Sequence, residues 1–338
     1  MTAKTVEKVK AVMERVYGPF SSTWKPKPFA ENKSRYLWTD AFGVVNYLTL
    51  YSETGDENYL SQAKTLVATV HDTLGKTRDL EKRLGNATDS KPLLGGLRIG
   101  KPEDEGPSMS QDGQYYHYLT KWMFALNRMS LATKEQHFNA WAVDLVKAVH
   151  PHFVQTVNGR LRMFWKMSID LSQPLVPSEG GLDPYDGYVT YRLLLDYSQD
   201  EQLLRKEIDE MRTLVEARYR HYRTNDSLDA GEALWLSHFY PNEDWAKQLR
   251  LKAGEAVDSL WQQGEFSGNW KRRLAFREFG TTIGVQMHQE LVTSWMDRIN
   301  QLHSLWVEHL FKRDDDITPV MFCCSLLPGY FAKSYKQT

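Results

Sequence analysis

The sequence is poor in the features that assign a chain quickly. Of its 338 residues two are cysteine, the adjacent Cys323 and Cys324, so a disulfide framework is excluded and a reducing compartment fits. Neither sign of charge is in excess. Lys and Arg number 42 against 43 Asp and Glu, a net charge of -1, which gives no global reason to expect nucleic acid or an anionic membrane as partner. No apolar run approaches the roughly 18 residues that span a bilayer. The opening MTAKTVEKVKAVMERVY alternates charged and apolar residues and lacks the unbroken apolar stretch of a secretion signal. A soluble cytoplasmic protein with no membrane contact is the expectation, and nothing in the sequence fixes its oligomeric state.

Nucleotide and metal signatures are missing as well. Gly95, Gly96 and Gly100 lack the strand and helix context of a dinucleotide fingerprint, and no GKS or GKT phosphate loop is present. No close Cys or His set completes a zinc site around Cys323 and Cys324, and Asp314 to Asp316 read as a solvated turn. No cofactor and no metal are expected. Short-period repeat motifs of helical arrays are absent too.

Aromatic residues are what the chain has in excess: 17 Tyr, 14 Phe and 11 Trp. They fill the core of a large helical domain and also serve as platforms for flat ligand faces. Helical periodicity dominates the whole length. A first helix covers about 4–17 and stops before Gly18 and Pro19. From Tyr36 two helical segments meet at about 52–56; the first is apolar on nearly every side, and the second carries a stripe of Tyr59, Ala63, Leu66, Val67 and Val70. That buried-then-external pairing returns with starts near residues 113, 183, 228, 276 and 317. The fifth pair is predicted to break near Thr293 and Ser294, and the last segment, about 318–335, has no helix after it, so the N-terminal helix is its expected partner.

Six buried and six outer segments make an all-α fold of six helical hairpins, a single (α/α)6 toroid domain over residues 1–338 closed by pairing of the two terminal helices. A long insertion at about 77–112 and a shorter one ending in PSEGGLDPYDG precede the second and third inner helices. Loops of that length in a compact domain are commonly functional or disordered. Both lie before inner-helix starts, which marks that end as the expected groove.

Acids and aromatics gather at the same starts. Trp38 and Asp40 stand at the first, Asp112 with Tyr115, Tyr116 and His117 at the second, and Glu179, Asp183 and Asp186 with Tyr185 and Tyr188 at the third. Asp229, Glu232 and Trp235 mark the fourth, and Arg277 with Glu278 the fifth. Asp112, Asp183 and Asp229 can equally cap helices, and Asp229 with Glu232 has capping-box spacing. Asp40 is harder to explain structurally, because a charge inside an apolar segment needs a partner, solvent or a ligand. Glu179 sits among glycines that permit close backbone approach, beside two tyrosines.

Opposed carboxylates are what glycosidic hydrolysis requires, one protonating the departing oxygen and the other activating water or attacking carbon. Asp112 is the candidate acid, Asp186 or Glu179 the opposing group, and Asp40 a further candidate. Trp38, Tyr116, His117, Tyr185, Tyr188, Trp235, Arg277 and His288 are the candidate substrate contacts. A second chemistry is open: His117, His238 and His288, if they face one cavity, exchange a proton at a sugar carbon while Arg277 stabilises oxyanion charge. A third reading is a noncatalytic carbohydrate-binding scaffold whose acids are all spent in caps and salt bridges.

The segments SRYLWTDAFGVVNYL and EGGLDPYDGYVTYRLL, with the alternation of inner and outer helices, resemble the six-hairpin glycosidase superfamily. That resemblance implies a carbohydrate or oligosaccharide bound at the inner-helix ends and a glycoside hydrolase as the first expectation. It also implies the related sugar epimerases. Epimerases of this architecture use histidines that include one from a late inner helix, and the segment 318–335 contains none.

Overall fold

The computed structural model describes residues 3–29 and 34–335, and twelve α-helices lie among them. They are α1 (Ala3–Tyr17), α2 (Leu37–Thr54), α3 (Glu57–Leu74), α4 (Tyr116–Thr133), α5 (Gln136–Phe153) and α6 (Asp183–Asp196). There follow α7 (Arg205–Glu216), α8 (Ser227–Ser237), α9 (Asp244–Gln262), α10 (Ala275–Gln286), α11 (Gln289–Trp306) and α12 (Ile317–Leu326). The six inner helices begin at residues 37, 116, 183, 227, 275 and 317, each within three residues of its expected start. The chain divides into two compact units, Tyr17–Leu214 and Met1–Val16 with Val215–Thr338.

In the first unit, α2, α4 and α6 are the buried members of three hairpins. Every residue of α2 from Leu37 to Leu50 is buried, whereas α3 buries a stripe that includes Tyr59, Ala63, Leu66, Val67 and Val70. On α5 the expected stripe holds at Phe138, Ala142, Leu145 and Val149, while Trp141 is only half-buried. α7 is shorter than expected and gives way to a single 3-10 turn at Tyr219–His221 in the second unit.

The second unit repeats the plan with α8/α9, α10/α11 and α12 with α1. α8 and α10 touch backbone to backbone: a Cβ on Gly231 would stand 2.3 Å from the Gly280 carbonyl oxygen, and one on Gly284 would stand 1.9 Å from that of Gly231. Only glycine permits that approach. α12 lies against α1, with Cys323 Sγ 3.9 Å from the Val9 carbonyl and Lys8 Nζ 5.2 Å from the centre of the Phe322 ring. Both cysteines are buried as small apolar groups, and burial pushes the Cys323 thiol well up. The fifth hairpin turns at Met287 and His288, not near Thr293 and Ser294, because extended His288 starts α11 directly. α12 ends at Leu326, and Pro328 leads into a 3-10 turn at Gly329–Phe331.

The caps differ from expectation. Asp112 lies in a strand ahead of α4, and Asp183 and Asp229 lie inside the first turns of α6 and α8. α8 is capped by Asp226, which accepts from the amides of Leu228 and Asp229. No side chain caps α2, α4, α6, α10 or α12.

The two insertions carry the strands β1 (Glu103–Glu105), β2 (Gln111–Asp112), β3 (Gln114–Tyr115), β4 (Val154–Val157), β5 (Arg160–Met163) and β6 (Lys166–Met167). β1 pairs parallel with β2, and β4 pairs antiparallel with β5. β3 pairs antiparallel with β6 in the register Gln114 to Met167, which ties one insertion to the other at the start of α4. Among the described residues no helix is long and apolar enough to cross a membrane.

Candidate active site

The first two turns of α2, α4 and α6 bring together Trp38, His117, Lys121, Asp183 and Asp186. His117 and Lys121 are four residues apart on α4 and so share a face. Asp183 and Asp186 fall in the first turn of α6, where the helix dipole favours negative charge. His117 Nδ1 lies 3.5 Å from Asp183 Oδ1, and Lys121 Nζ donates to Asp186 Oδ1 at 2.5 Å. Lys121 and Asp186 are almost wholly buried, whereas the His117 side chain keeps 29% of its surface exposed. Asp183 Oδ1 is itself buried and makes no hydrogen bond among the described residues.

Rings hold His117 in place. Tyr115 stacks on it at 5.6 Å between centroids and 19° between planes, and Tyr118 and Trp38 meet it edgewise at 4.8 and 5.9 Å. Trp38 is itself buried against Phe42 and Tyr118, so it supports the imidazole more than it offers an open stacking face. The hydroxyls of Tyr36 and Tyr118 are 2.5 Å apart on the same flank. Nδ1 stands within ion-pair distance of the carboxylate without a hydrogen bond, and a partly exposed imidazole beside a carboxylate has the makings of a general base.

The other nominated acids are committed elsewhere. Asp40 is fully buried, paired through both oxygens with the Arg35 guanidinium, and accepts from the Tyr17 hydroxyl at 3.2 Å. Asp112 receives Arg78 and Arg98 on Oδ2 at 3.0 and 2.8 Å, and the amides of Gly100 and Lys101 on Oδ1 at 3.0 and 3.3 Å. Both oxygens of Asp112 are thus taken up by donors of the insertion itself. Glu179 bonds Arg162 of β5 at 2.7 Å, out on the insertion. Neither the acid role expected of Asp112 nor the roles of Asp40 and Glu179 find support in these contacts.

Four further tyrosines belong to α4 and α6. Tyr116 donates to Tyr191 at 2.6 Å, Tyr191 contacts His150 Nδ1 at 3.2 Å, and His150 Nε2 meets Glu210 at 2.8 Å, a chain that fastens α4, α6, α5 and α7. Burial raises the Tyr116 hydroxyl well above its ordinary range and lowers His150. Tyr185 is buried in α6, and the Tyr188 hydroxyl accepts from Arg212 Nε on α7 at 3.3 Å.

In the second unit Trp235 is buried, with its indole donating to the Phe331 carbonyl at 3.0 Å, and offers no ligand face. His288 binds the Leu234 carbonyl at 2.8 Å at the C-terminal end of α10, with its pKa lowered by burial, and His238 accepts the Lys333 amide at 3.0 Å beyond the end of α8. Both stand just beyond the C-terminal ends of their helices. Arg277, in the first turn of α10, is ion-paired with the cap residue Asp226. Glu278 takes both guanidinium nitrogens of Arg273 at 2.7 Å and the Trp306 indole at 2.7 Å. Asp229 accepts from the Tyr222 hydroxyl at 2.7 Å, and burial pushes its carboxyl up to about 6.

Sequence reasoning passed over Lys121 and Tyr118 and weighed Asp183 as a helix cap ahead of a catalytic group. The missed signal was in YHYLTKWMFAL: one lysine inside an apolar, aromatic helix demands a buried partner. No group of three or more metal-ligating side chains occurs among the described residues.

No family model and no curated protein matches the sequence. Solved structures do match it. A D-mannose isomerase superposes with a TM-score of 0.63 at 11% identity, covering 96% of each chain. Cellobiose 2-epimerase from Spirochaeta thermophila matches with a TM-score of 0.60 at 11% identity, over 97% of this chain and 98% of that one. An α-1,6-mannanase from Salegentibacter sp., solved with α-1,6-mannotriose as a variant inactivated at two adjacent aspartates, gives a TM-score of 0.60 at 12% identity over 96% and 98%. The chain has the (α/α)6 toroid fold of these solved structures.

Proposed function

We propose that the protein is a sugar-processing enzyme that moves a proton at a carbon beside a carbonyl, an epimerase or isomerase of reducing sugars, with His117 as its acid–base group. The observation that carries this reading is the half-exposed His117 imidazole facing the buried Asp183 oxygen at 3.5 Å. Asp183 orients the ring and stabilises the imidazolium formed when Nε2 takes the carbon-bound proton; the electron pair of that C–H bond moves toward the carbonyl oxygen. Return of that proton to the same carbon after the enediol has turned over in the site gives an epimer; its return to the neighbouring carbon, as a hydroxyl proton passes between the two oxygens, gives an isomer. Lys121 places a cation beside the Trp38 ring, at 5.8 Å from its centre, with Asp186 as counter-ion. The isomerase and the epimerase among the structural neighbours lend this reading support.

Hydrolysis is the second reading, and one observation favours it: the Asp229 carboxyl, raised to about 6, is the kind of acid that keeps a proton for a leaving group. Against it, the only adjacent aspartates in this chain are Asp314 to Asp316 ahead of α12, where the mannanase is inactivated at an adjacent pair.

The test is incubation with mannose, glucose and cellobiose in D2O, following deuterium at C2 by NMR, for the wild type and His117→Gln. Exchange by the wild type that falls by about 10²–10⁴-fold in the variant, the usual worth of a general base, is expected. Release of new reducing ends from oligosaccharides, without exchange and undiminished in His117→Gln, would overturn the proposal in favour of Asp229.

A further inference from the structure

The two insertions ahead of α4 and α6 are fastened to one another, and the join stands directly beside His117. Lys166 of β6, fully buried, donates from Nζ to the carbonyls of Ser108 and Gln111 at 2.7 and 3.0 Å. Gln114 reaches from β3 to the Ile169 carbonyl at 2.7 Å and the Gly95 carbonyl at 3.0 Å. Glu105 accepts the Ile169 amide, and Asp112 anchors the strap from below through Arg78 and Arg98. Such a density of buried and charge-assisted bonds makes the segment 103–112 a fixed wall, not a loop free to swing aside.

The crest of that wall is Met109. It is 63% exposed, the most exposed large apolar residue among those described, and its sulfur accepts from the Tyr115 hydroxyl at 3.6 Å. Tyr115 is buried beneath it, between Trp165 at 5.4 Å and His117 at 5.6 Å. The imidazole is thus closed on its Tyr115 face by a ring, and behind that ring by the wall. An exposed thioether at this point offers an adaptable apolar contact to a sugar ring arriving from solvent.

We propose that the wall from Glu103 to Asp112, with Met109 at its crest, limits the length of the saccharide that reaches His117, so that the site takes a mono- or disaccharide and rejects the interior of a longer chain. Met109, Tyr115 and Trp165 stand in contact on one side of His117, and a saccharide extended on that side meets them. The inference rests on the reading of His117 as the sugar site.

Its test compares glucose, cellobiose and cellotetraose, and the matching manno-series, by kcat/KM for C2 exchange and separately by quenching of tryptophan fluorescence on binding. In the wild type the tetrasaccharide is expected to fall at least 10-fold below the disaccharide in both measures. Met109→Gly, a change at an exposed position, is expected to raise the tetrasaccharide-to-disaccharide ratio several-fold. A wild type that takes the tetrasaccharide as well as the disaccharide, or a ratio unmoved in Met109→Gly, overturns the inference. Length-dependent binding without exchange of any sugar leaves the wall's role standing and removes proton transfer; binding of no sugar in either series removes both.

Discussion

Asp229 is half-buried in the first turn of α8, with the Tyr222 hydroxyl on Oδ2 and burial holding its carboxyl at about 6 against an ordinary 3.8. Between pH 4 and 6 the folded chain therefore keeps a proton that the unfolded chain releases, and stability falls as pH rises through that window. The full effect is up to about 3 kcal/mol, reduced as far as solvent reaches the group. Asp229→Asn keeps an oxygen for Tyr222 and abolishes the ionisation. Its thermal midpoint should match the wild type near pH 4 and exceed it above pH 7; an equal offset at both pH values would refute the account. What the sequence hid here was the partner. Asp40 was legible as a charge in an apolar helix, but Arg35, which neutralises it, lies five residues upstream beyond the helix start. Asp112 looked like a cap or an acid because neither Arg78 nor Arg98 lies near it in sequence.

At the level of elements, burial on all sides against burial on one stripe distinguished inner from outer helices, and periodicity reports that directly. α3 buries the very stripe its sequence shows, from Tyr59 to Val70. The strands β1 to β6 were not legible, since they are two to four residues long and one pair, β3 with β6, joins segments about fifty residues apart. The cap of α8 was misplaced by one turn because TNDSLDA offers several capping residues in a row. The contact of α8 with α10 gives a test of packing. A methyl group at position 284 meets the Gly231 carbonyl at 1.9 Å, and backbone on both sides leaves it nowhere to go. Gly284→Ala should destabilise by about 2–4 kcal/mol despite alanine's better helix propensity, the penalty of overpacking. A neutral or stabilising result in denaturant unfolding would mean that the two helices separate at little cost.

Over the whole molecule the histidines decide how folding responds to acid. His71 is buried with its Nε2 accepting from the Trp122 indole at 3.1 Å, and burial lowers it to about 3. His303 meets Ser325 Oγ at 2.6 Å and is lowered to about 4. Both are neutral in the fold, while in the unfolded chain they take up protons near pH 6.5. A histidine with a depressed folded pKa contributes stability that is complete above the unfolded pKa and is lost as pH falls toward the folded one. Each removes about 1.4 kcal/mol per pH unit over that range. Asp229 and Asp40, whose carboxyls burial raises, act in the opposite sense, but burial lowers His150 and His288 along with His71 and His303. Stability should therefore fall from pH 7 to pH 4.5. His303→Gln retains a polar group for Ser325 without titrating, so its unfolding free energy should decline more gently, by about 1.4 kcal/mol per pH unit below pH 6. Parallel lines for the two proteins would show that the folded state admits a proton at His303, and that burial alone does not keep the imidazole neutral.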